Sequence, residues 1–514
     1  MEVHVSGDRA AGVSELSIAR AWADTRAAEG LAGLRARDGE GELHLQPRAD
    51  DGGPDDVYAL SRAPRGGDLV VRYRARANQG ASRFALRVAP DRMSGVGHAF
   101  LLLPRLEAPL AARVRIHAGA LAQGADAASS FGFGSEVVTT AASEDLAHAV
   151  YVAGLLWREE EHGRELIVVG NPPFDTRKAL DHAVAESAAV DRFFGGDVRA
   201  ADPFAFVLVP QPGLGRAREG AYLSRSVGVW FDARQPLDAE LDLVLTHELV
   251  HRWIGGTVRL LGRGGREATW FSEGFTVHVA RHVLLDAGLL APADFIADVN
   301  RTVGEGVAGE ERLPAEYRRG ALHAAWLDSA LRKGSGGRRS LDDVIRALVT
   351  AARAAGSGSL PVTALRAALV REIGAEGSAA VDRLEAGDDP PALPDDAFGP
   401  CARRRVRELR GYELGFDRRS LAGTPALVRG LVKGSAADRA GLREGALVLT
   451  SKVPAEADAL RDGGAPREVE LWLADGKRVR YQPVGTRRET TWEVVDCPAA
   501  VTAPGRSASG GRSP

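Results

Sequence analysis

The sequence predicts a multidomain α+β fold. Three observations carry that prediction: an N-terminal region alternating apolar and polar side chains at period two, a middle region with apolar residues at helical spacing, and a second β-rich stretch beyond a proline- and glycine-rich linker. A length of 514 residues leaves room for about three to four domains. The boundaries read as an N-terminal β domain over 1–170, an α/β domain over 171–290, a helical domain over 291–395 and a β-rich domain over 396–495, followed by a disordered tail over 496–514.

The elements follow in order. Leu69–Ala75, Phe84–Val88 and Val114–His117 alternate as half-buried strands do, and Leu166–Val169 is a short apolar strand. Lys178–Phe194 has helical spacing and stops at Gly195-Gly196. Phe204–Val209, ended by Pro210, and Val227–Phe231 read as strands, and the amphipathic helix Ala239–Ile254 closes at Gly255-Gly256. From Glu273 to about residue 385 the text is helical. Ser340-Leu-Asp-Asp opens one of these helices with a serine cap and an acid three residues on. Residues 385–400 form the linker.

Composition narrows the function. Lys+Arg 66 against Asp+Glu 69 leaves a formal net charge of −3, without the basic excess of a dedicated nucleic-acid binder. No apolar run approaches the ~20 residues that a membrane span needs. The two cysteines, Cys401 and Cys497, are too few for a metal cluster; they bracket the last β-rich segment, where one disulfide would require an oxidising compartment. Met1–Arg9 has neither the basic start nor the apolar core of a secretory signal, so the chain as given reads as cytoplasmic; a chain trimmed there would be periplasmic or secreted.

The chemistry is concentrated in Leu245-Thr-His-Glu-Leu-Val-His-Arg-Trp. On a helix, His247 and His251 project from one face and can share a metal, while Glu248 is angled to act on a water beside it. Chance alone would place such a motif in roughly one chain of this composition in fifty, and here it also sits in the required context, on a helix after a strand. Two imidazoles, a carboxylate and an open position suit zinc, about one ion per chain. Ile254 and Thr257 stand where one large class needs Gly and a third His, which excludes that class. Instead Trp270-Phe-Ser-Glu-Gly-Phe-Thr begins a second helix, with Glu273 in its first turn. That carboxylate can reach the same metal from an antiparallel helix. Acids also favour helix N-termini for electrostatic reasons, and Glu267 in the preceding loop is a rival ligand. His278 and His282 stand four apart as well, but no Glu follows the first, and they read as packing or surface residues.

These residues resemble the gluzincin metallopeptidases, and specifically the glycyl aminopeptidase family with its C-terminal PDZ domain. The similarity spans about residues 60–495 and is strongest over 240–345. It implies a zincin (thermolysin-like) fold for 171–290, and the phrase around Glu273 implies that this residue is the third zinc ligand. Tyr317-Arg-Arg-Gly, followed by Leu327-Asp-Ser-Ala-Leu-Arg and Ser340-Leu-Asp-Asp, is similar to a run in that family. The resemblance implies that Tyr317 donates a hydrogen bond to the oxyanion. Tyr412-Glu-Leu-Gly-Phe resembles the carboxylate-binding loop of PDZ domains, which implies a peptide C-terminus at Leu414, Gly415 and Phe416. Gly434-Ser-Ala-Ala-Asp-Arg-Ala-Gly-Leu-Arg-Glu-Gly is similar to the helix-and-turn signature of the same domain, with Ala446 in place of its usual Asp.

The family pattern is broken in two places. Between His251 and Glu273 lie only positions 252–272, 21 residues, shorter than is usual for glycyl aminopeptidases. The strand glutamate that grips a substrate's free amine in that family falls here at Tyr222 or Leu223, with Glu219 the nearest substitute. The expected substrate site is therefore Glu219, Gly220, Ala221 and Tyr222, with an extended peptide lying along Val227–Phe231. The expected activity is zinc-dependent peptide hydrolysis, aminopeptidase-like but with uncertain free-amine selectivity. The alternative is a peptide-binding PDZ scaffold with a structural zinc site and little turnover.

Overall fold

The structure, a computed structural model, describes residues 1–23, 30–49, 52–77, 82–106, 109–121, 123–196, 203–211, 218–235, 238–308, 313–399, 402–454 and 468–495. The tail over 496–514 and both cysteines lie outside them. The chain divides into two compact units, Met1–Phe295 with Ala315–Leu393, and Ile296–Pro314 with Pro394–Pro514.

The first unit opens with antiparallel sheets. One runs in the order Glu2–Val5, Leu69–Ala75, Leu31–Asp38, Gly41–Leu43, and another Leu103–Pro104, Glu15–Ala19, Asp55–Leu60, Leu45–Pro47. Leu16, Leu69, Val71 and Leu102 are buried in one shared apolar cluster. Along Phe84–Val88 the expected strand shrinks to Arg87–Val88. Phe84, Ala85 and Leu86 are consecutive and all buried, and the Phe84 ring packs edge-on against Trp22 at 4.7 Å and Trp230 at 5.1 Å. Packing against two indoles overrides the alternation.

The sheet that carries the site comprises β1 (Leu156–Glu161), β2 (Arg164–Val169), β3 (Phe204–Pro210), β4 (Arg218–Leu223) and β5 (Ser226–Phe231), in the order β1-β2-β3-β5-β4. β2, β3 and β5 are mutually parallel. Ile167, Phe206 and Val229 are wholly buried, as the apolar runs of covered parallel strands require. The expectation that a peptide lies along Val227–Phe231 needs correction. β5 is an interior strand with all six residues buried, paired to β3 on one side and to β4 on the other. The reason is the tight turn at Ser224-Arg225, where Arg225 adopts φ 53° and folds β4 back antiparallel beside β5. The terminal strand of the sheet is therefore β4.

Seven helices of this unit matter below: α1 (Thr176–Phe193), α2 (Ala239–Val250), α3 (Thr276–Asp286), α4 (Ala315–Ser335), α5 (Leu341–Ala355), α6 (Val362–Ile373) and α7 (Ala375–Ala386). Leu180, Leu245, Leu249, Val279, Leu327, Ile345, Leu365 and Val381 join the sheet in one core. α5 opens as expected: the Ser340 N–H donates to the Asp343 carboxylate at 3.0 Å. Asp328 on α4 accepts the Leu341 N–H at 2.9 Å and binds Arg332 at 2.9 Å, which ties α4 to the start of α5.

In the second unit Ala402–Tyr412 pairs antiparallel with Val484–Val494, and Val448–Lys452, Val469–Leu473 and Arg478–Tyr481 form a three-stranded sheet. Leu414, Phe416, Val428, Leu442 and Leu471 share its core. Gly415 takes φ 80°, and a Cβ there would stand 2.6 Å from Ser435 Oγ, so the loop needs glycine on both counts. Ser435 in turn caps the short helix Ala436–Arg439. Among the described residues no helix is long and apolar enough to cross a membrane.

Candidate active site

α2 is anchored at its start by Asp238, whose carboxylate accepts the N–H groups of Glu240 and Leu241 at 3.0 and 3.2 Å and binds Arg218 of β4 at 2.9 Å. One helix face packs into the core through Leu241, Leu245 and Leu249. Another presents His247 and His251. Their Nε2 atoms lie 3.0 Å apart, and Glu273 Oε2 is 3.3 Å from each. Three ligand atoms bound to one zinc at ~2.0–2.1 Å in tetrahedral geometry would be separated by about 3.3–3.4 Å. The triangle fits. His251 Nδ1 lies 3.1 Å from the Ile254 carbonyl, a contact that sets the ring for Nδ1–H donation and leaves an Nε2 lone pair facing His247. A cation resolves that opposition. Burial works against charge on His251, yet in the protonated form its ring N–H donates to Glu273, and this bond with the charges of Glu248 and Glu273 pushes it up to about 9. Burial likewise opposes ionisation of Glu273, but hydrogen bonds with His247 and His251 hold its carboxyl far below the usual range. The pocket attracts positive charge.

Glu273 reaches the histidines from a single π-helical turn, Trp270–Phe275, at the head of α3. Two glycines make this possible. A Cβ on Gly274 would stand 2.4 Å from Gly320 Cα, and one on Gly320 would stand 2.1 Å from the Trp270 carbonyl oxygen. The π turn and α4 therefore touch backbone to backbone. Gly320 lies one turn beyond Tyr317, so the same contact delivers the tyrosine, whose ring lies nearly parallel to His247 at 6.3 Å. Burial, then the charge and hydrogen bond of Glu273, raise Tyr317 above its ordinary range and keep it a protonated donor.

Glu248 is buried, and β4 runs directly over it: a Cβ on Gly220 would fall 2.5 Å from Glu248 Cγ and Oε1. The other expected substrate residues divide by strand alternation. Ala221 packs with Leu223 into the cluster around Trp230 and Val207, whereas Tyr222 packs on the helical side. Glu219 is bound to Arg83 at 2.6 Å. Glu267 is exposed in its loop, bridged to Leu261. Arg83, whose charge also acts on Tyr317, escapes sequence reasoning. A lone arginine 136 positions from its partner, in an arginine-rich chain, carries no local signal.

No protein-family model matches the chain, and no curated protein matches it. Solved structures do. An aminopeptidase N family protein from Idiomarina loihiensis is similar over 96% of this chain and 95% of its own, with a TM-score of 0.67 at 13% identity. An M1 zinc metallopeptidase from Deinococcus radiodurans is similar over 74% of this chain and 87% of its own, with a TM-score of 0.49 at 19% identity. The likeness is one of fold: a multidomain α+β architecture resembling that of the aminopeptidase N family.

Proposed function

We propose that this protein is a zinc-dependent peptidase of the gluzincin kind, aminopeptidase-like in architecture. The observation that supports it most strongly is the triangle of His247, His251 and Glu273 with the carboxylate of Glu248 beside it. These three residues would hold zinc, which supplies a Lewis acid for a carbonyl and acidifies water. Glu248 takes a proton from the attacking water and passes it to the leaving amine. Tyr317 donates a hydrogen bond to the carbonyl oxygen as that atom gains charge. β4, from Glu219 to Tyr222, offers its backbone to an extended substrate beside Glu248. The Trp-x-Ser-Glu-Gly-Phe-Thr and Tyr-x-x-Gly phrases favour the glycyl aminopeptidase pattern within that class. For the C-terminal unit we propose a PDZ-like domain with its carboxylate loop at Leu414, Gly415 and Phe416.

A panel of fluorogenic amino-acid and blocked-peptide substrates, with and without a chelator, tests the reading. Turnover should vanish on chelation and return with zinc. Glu248→Gln should retain metal by elemental analysis yet lose about 10²–10⁴ in kcat, the contribution of a general base. Chelator-insensitive hydrolysis would refute the proposal.

A further inference from the structure

Beyond Glu273, α3 carries a second histidine pair one turn apart. The rings of His278 and His282 lie 4.1 Å from each other, centroid to centroid. Asp342, in the first turn of α5, brings a carboxylate to them, and one ligand atom from each of the three lies within 4.8 Å of the others. Two atoms of this group are orphaned. His278 is only 3% exposed, and its Nε2 is buried with no hydrogen-bond partner; Asp342 Oδ1 is enclosed and unpartnered in the same way. Native folds seldom leave an imidazole nitrogen and a carboxylate oxygen buried together without a partner, because each forfeits its hydration. A single cation would satisfy both.

The surrounding charges are of both signs, and the carboxylates lie on the Asp342 side. Asp286 and Asp328 act on Asp342 alongside His282 and Arg346. Arg332, the nearby guanidinium bound to Asp328 at 2.9 Å, is already committed there. Burial, reinforced by His282, Arg281 and Arg332, keeps His278 neutral, the form in which imidazole binds a metal.

We propose that His278, His282 and Asp342 form a second metal site, for a zinc-like transition dication, distinct from the His247–His251–Glu273 centre. Two nitrogens and one carboxylate oxygen suit such an ion better than magnesium or calcium, which prefer all-oxygen shells. The ligand atoms would close by about 1–1.5 Å to reach tetrahedral spacing, within the range of small side-chain rotations. The ion would clamp α3 to α5. The group shares no residue with the His247–His251–Glu273 triangle, so the clamp is structural, outside the reaction itself.

The test uses zinc and cobalt alone as probes on the full chain. After equilibration with zinc and desalting, the wild type should hold about two ions, and His282→Gln or Asp342→Asn about one, with peptidase turnover kept in both variants. His278 is too deeply buried to serve as the probe. In a His247→Ala/His251→Ala background, cobalt should still raise Tm and give a visible ligand-field band; adding His282→Gln should abolish both. A second equivalent that persists in both His282→Gln and Asp342→Asn would overturn the assignment. So would a wild type that binds one ion and loses it entirely in the His247→Ala/His251→Ala variant. Neither result bears on the peptidase reading, which the chelation and Glu248→Gln experiments address separately.

Discussion

Glu248 has room to act only because the strand above it lacks a side chain at one position. A methyl group on Gly220 would meet Glu248 Cγ and Oε1 at 2.5 Å, and the flexible end of the glutamate is what would yield. Gly220→Ala should therefore fold normally and keep its metal, while the displaced base lowers kcat by about 10–100-fold, since a ~1 Å misplacement can cost that much. Stopped-assay kinetics beside elemental analysis would check it; unchanged kcat would mean that β4 can move away from α2. At this scale the sequence was informative wherever chemistry imposes a helical spacing. His247 and His251 converge because four residues make about one turn, and the flanking motifs singled out Glu273 and Tyr317, which the structure places beside the histidines. The role of Gly220 against Glu248 was not legible, because a glycine states only that no side chain is wanted.

At the scale of elements, the decisive contact is the backbone meeting of the π turn with α4. Gly320→Ala would drive a Cβ to 2.1 Å from the Trp270 carbonyl oxygen, and no flexible side chain is there to give way. Overpacking of this kind costs about 1–3 kcal/mol, and here it would also displace Glu273 and Tyr317 together. Thermal melts should show the destabilisation, and zinc affinity should fall in parallel; a variant with wild-type Tm and full zinc would remove this account. A second inter-helix contact joins α1 to α2. Glu186 is buried, its Oε2 accepting from Thr246 at 3.2 Å, and burial followed by the nearby Asp242 charge raises its pKa well above 4.5. The folded state therefore holds a proton that the unfolded chain releases near the ordinary carboxyl range, so this stabilisation is complete below about 4.5 and declines as pH rises toward the folded value. Glu186→Gln should flatten the fall in stability on that rising side, measured as Tm against pH. An unchanged slope would place the proton elsewhere. Periodicity revealed these helices and the strands at Leu69–Ala75, Leu166–Val169, Phe204–Val209 and Val227–Phe231, but it named neither β1 nor β4, and Phe84–Val88 misled it, because two distant indoles set the burial there.

For the molecule as a whole, local patterns predicted the elements and left their arrangement open. Nothing in Val227–Phe231 indicates that β4 will cover it, and nothing near Arg83 indicates that it will meet Glu219. Both facts depend on chain closure over long separations, and both bear on substrate choice. A buried carboxylate aimed at a free α-amine makes an exopeptidase, since leaving either charge unpaired costs several kcal/mol, on the order of 3–5. Along β4 the candidate carboxylate is Glu219, already held by Arg83 at 2.6 Å, while Leu223 is buried among apolar residues. Acetylated peptides should therefore be cleaved within about tenfold of their free-amine counterparts in kcat/KM, because a site without a dedicated polar partner discriminates weakly. Glu219→Gln should alter that ratio little. A free-amine preference above ~10³ that survives Glu219→Gln would mean that another group grips the amine, and the selectivity argued from β4 would fall.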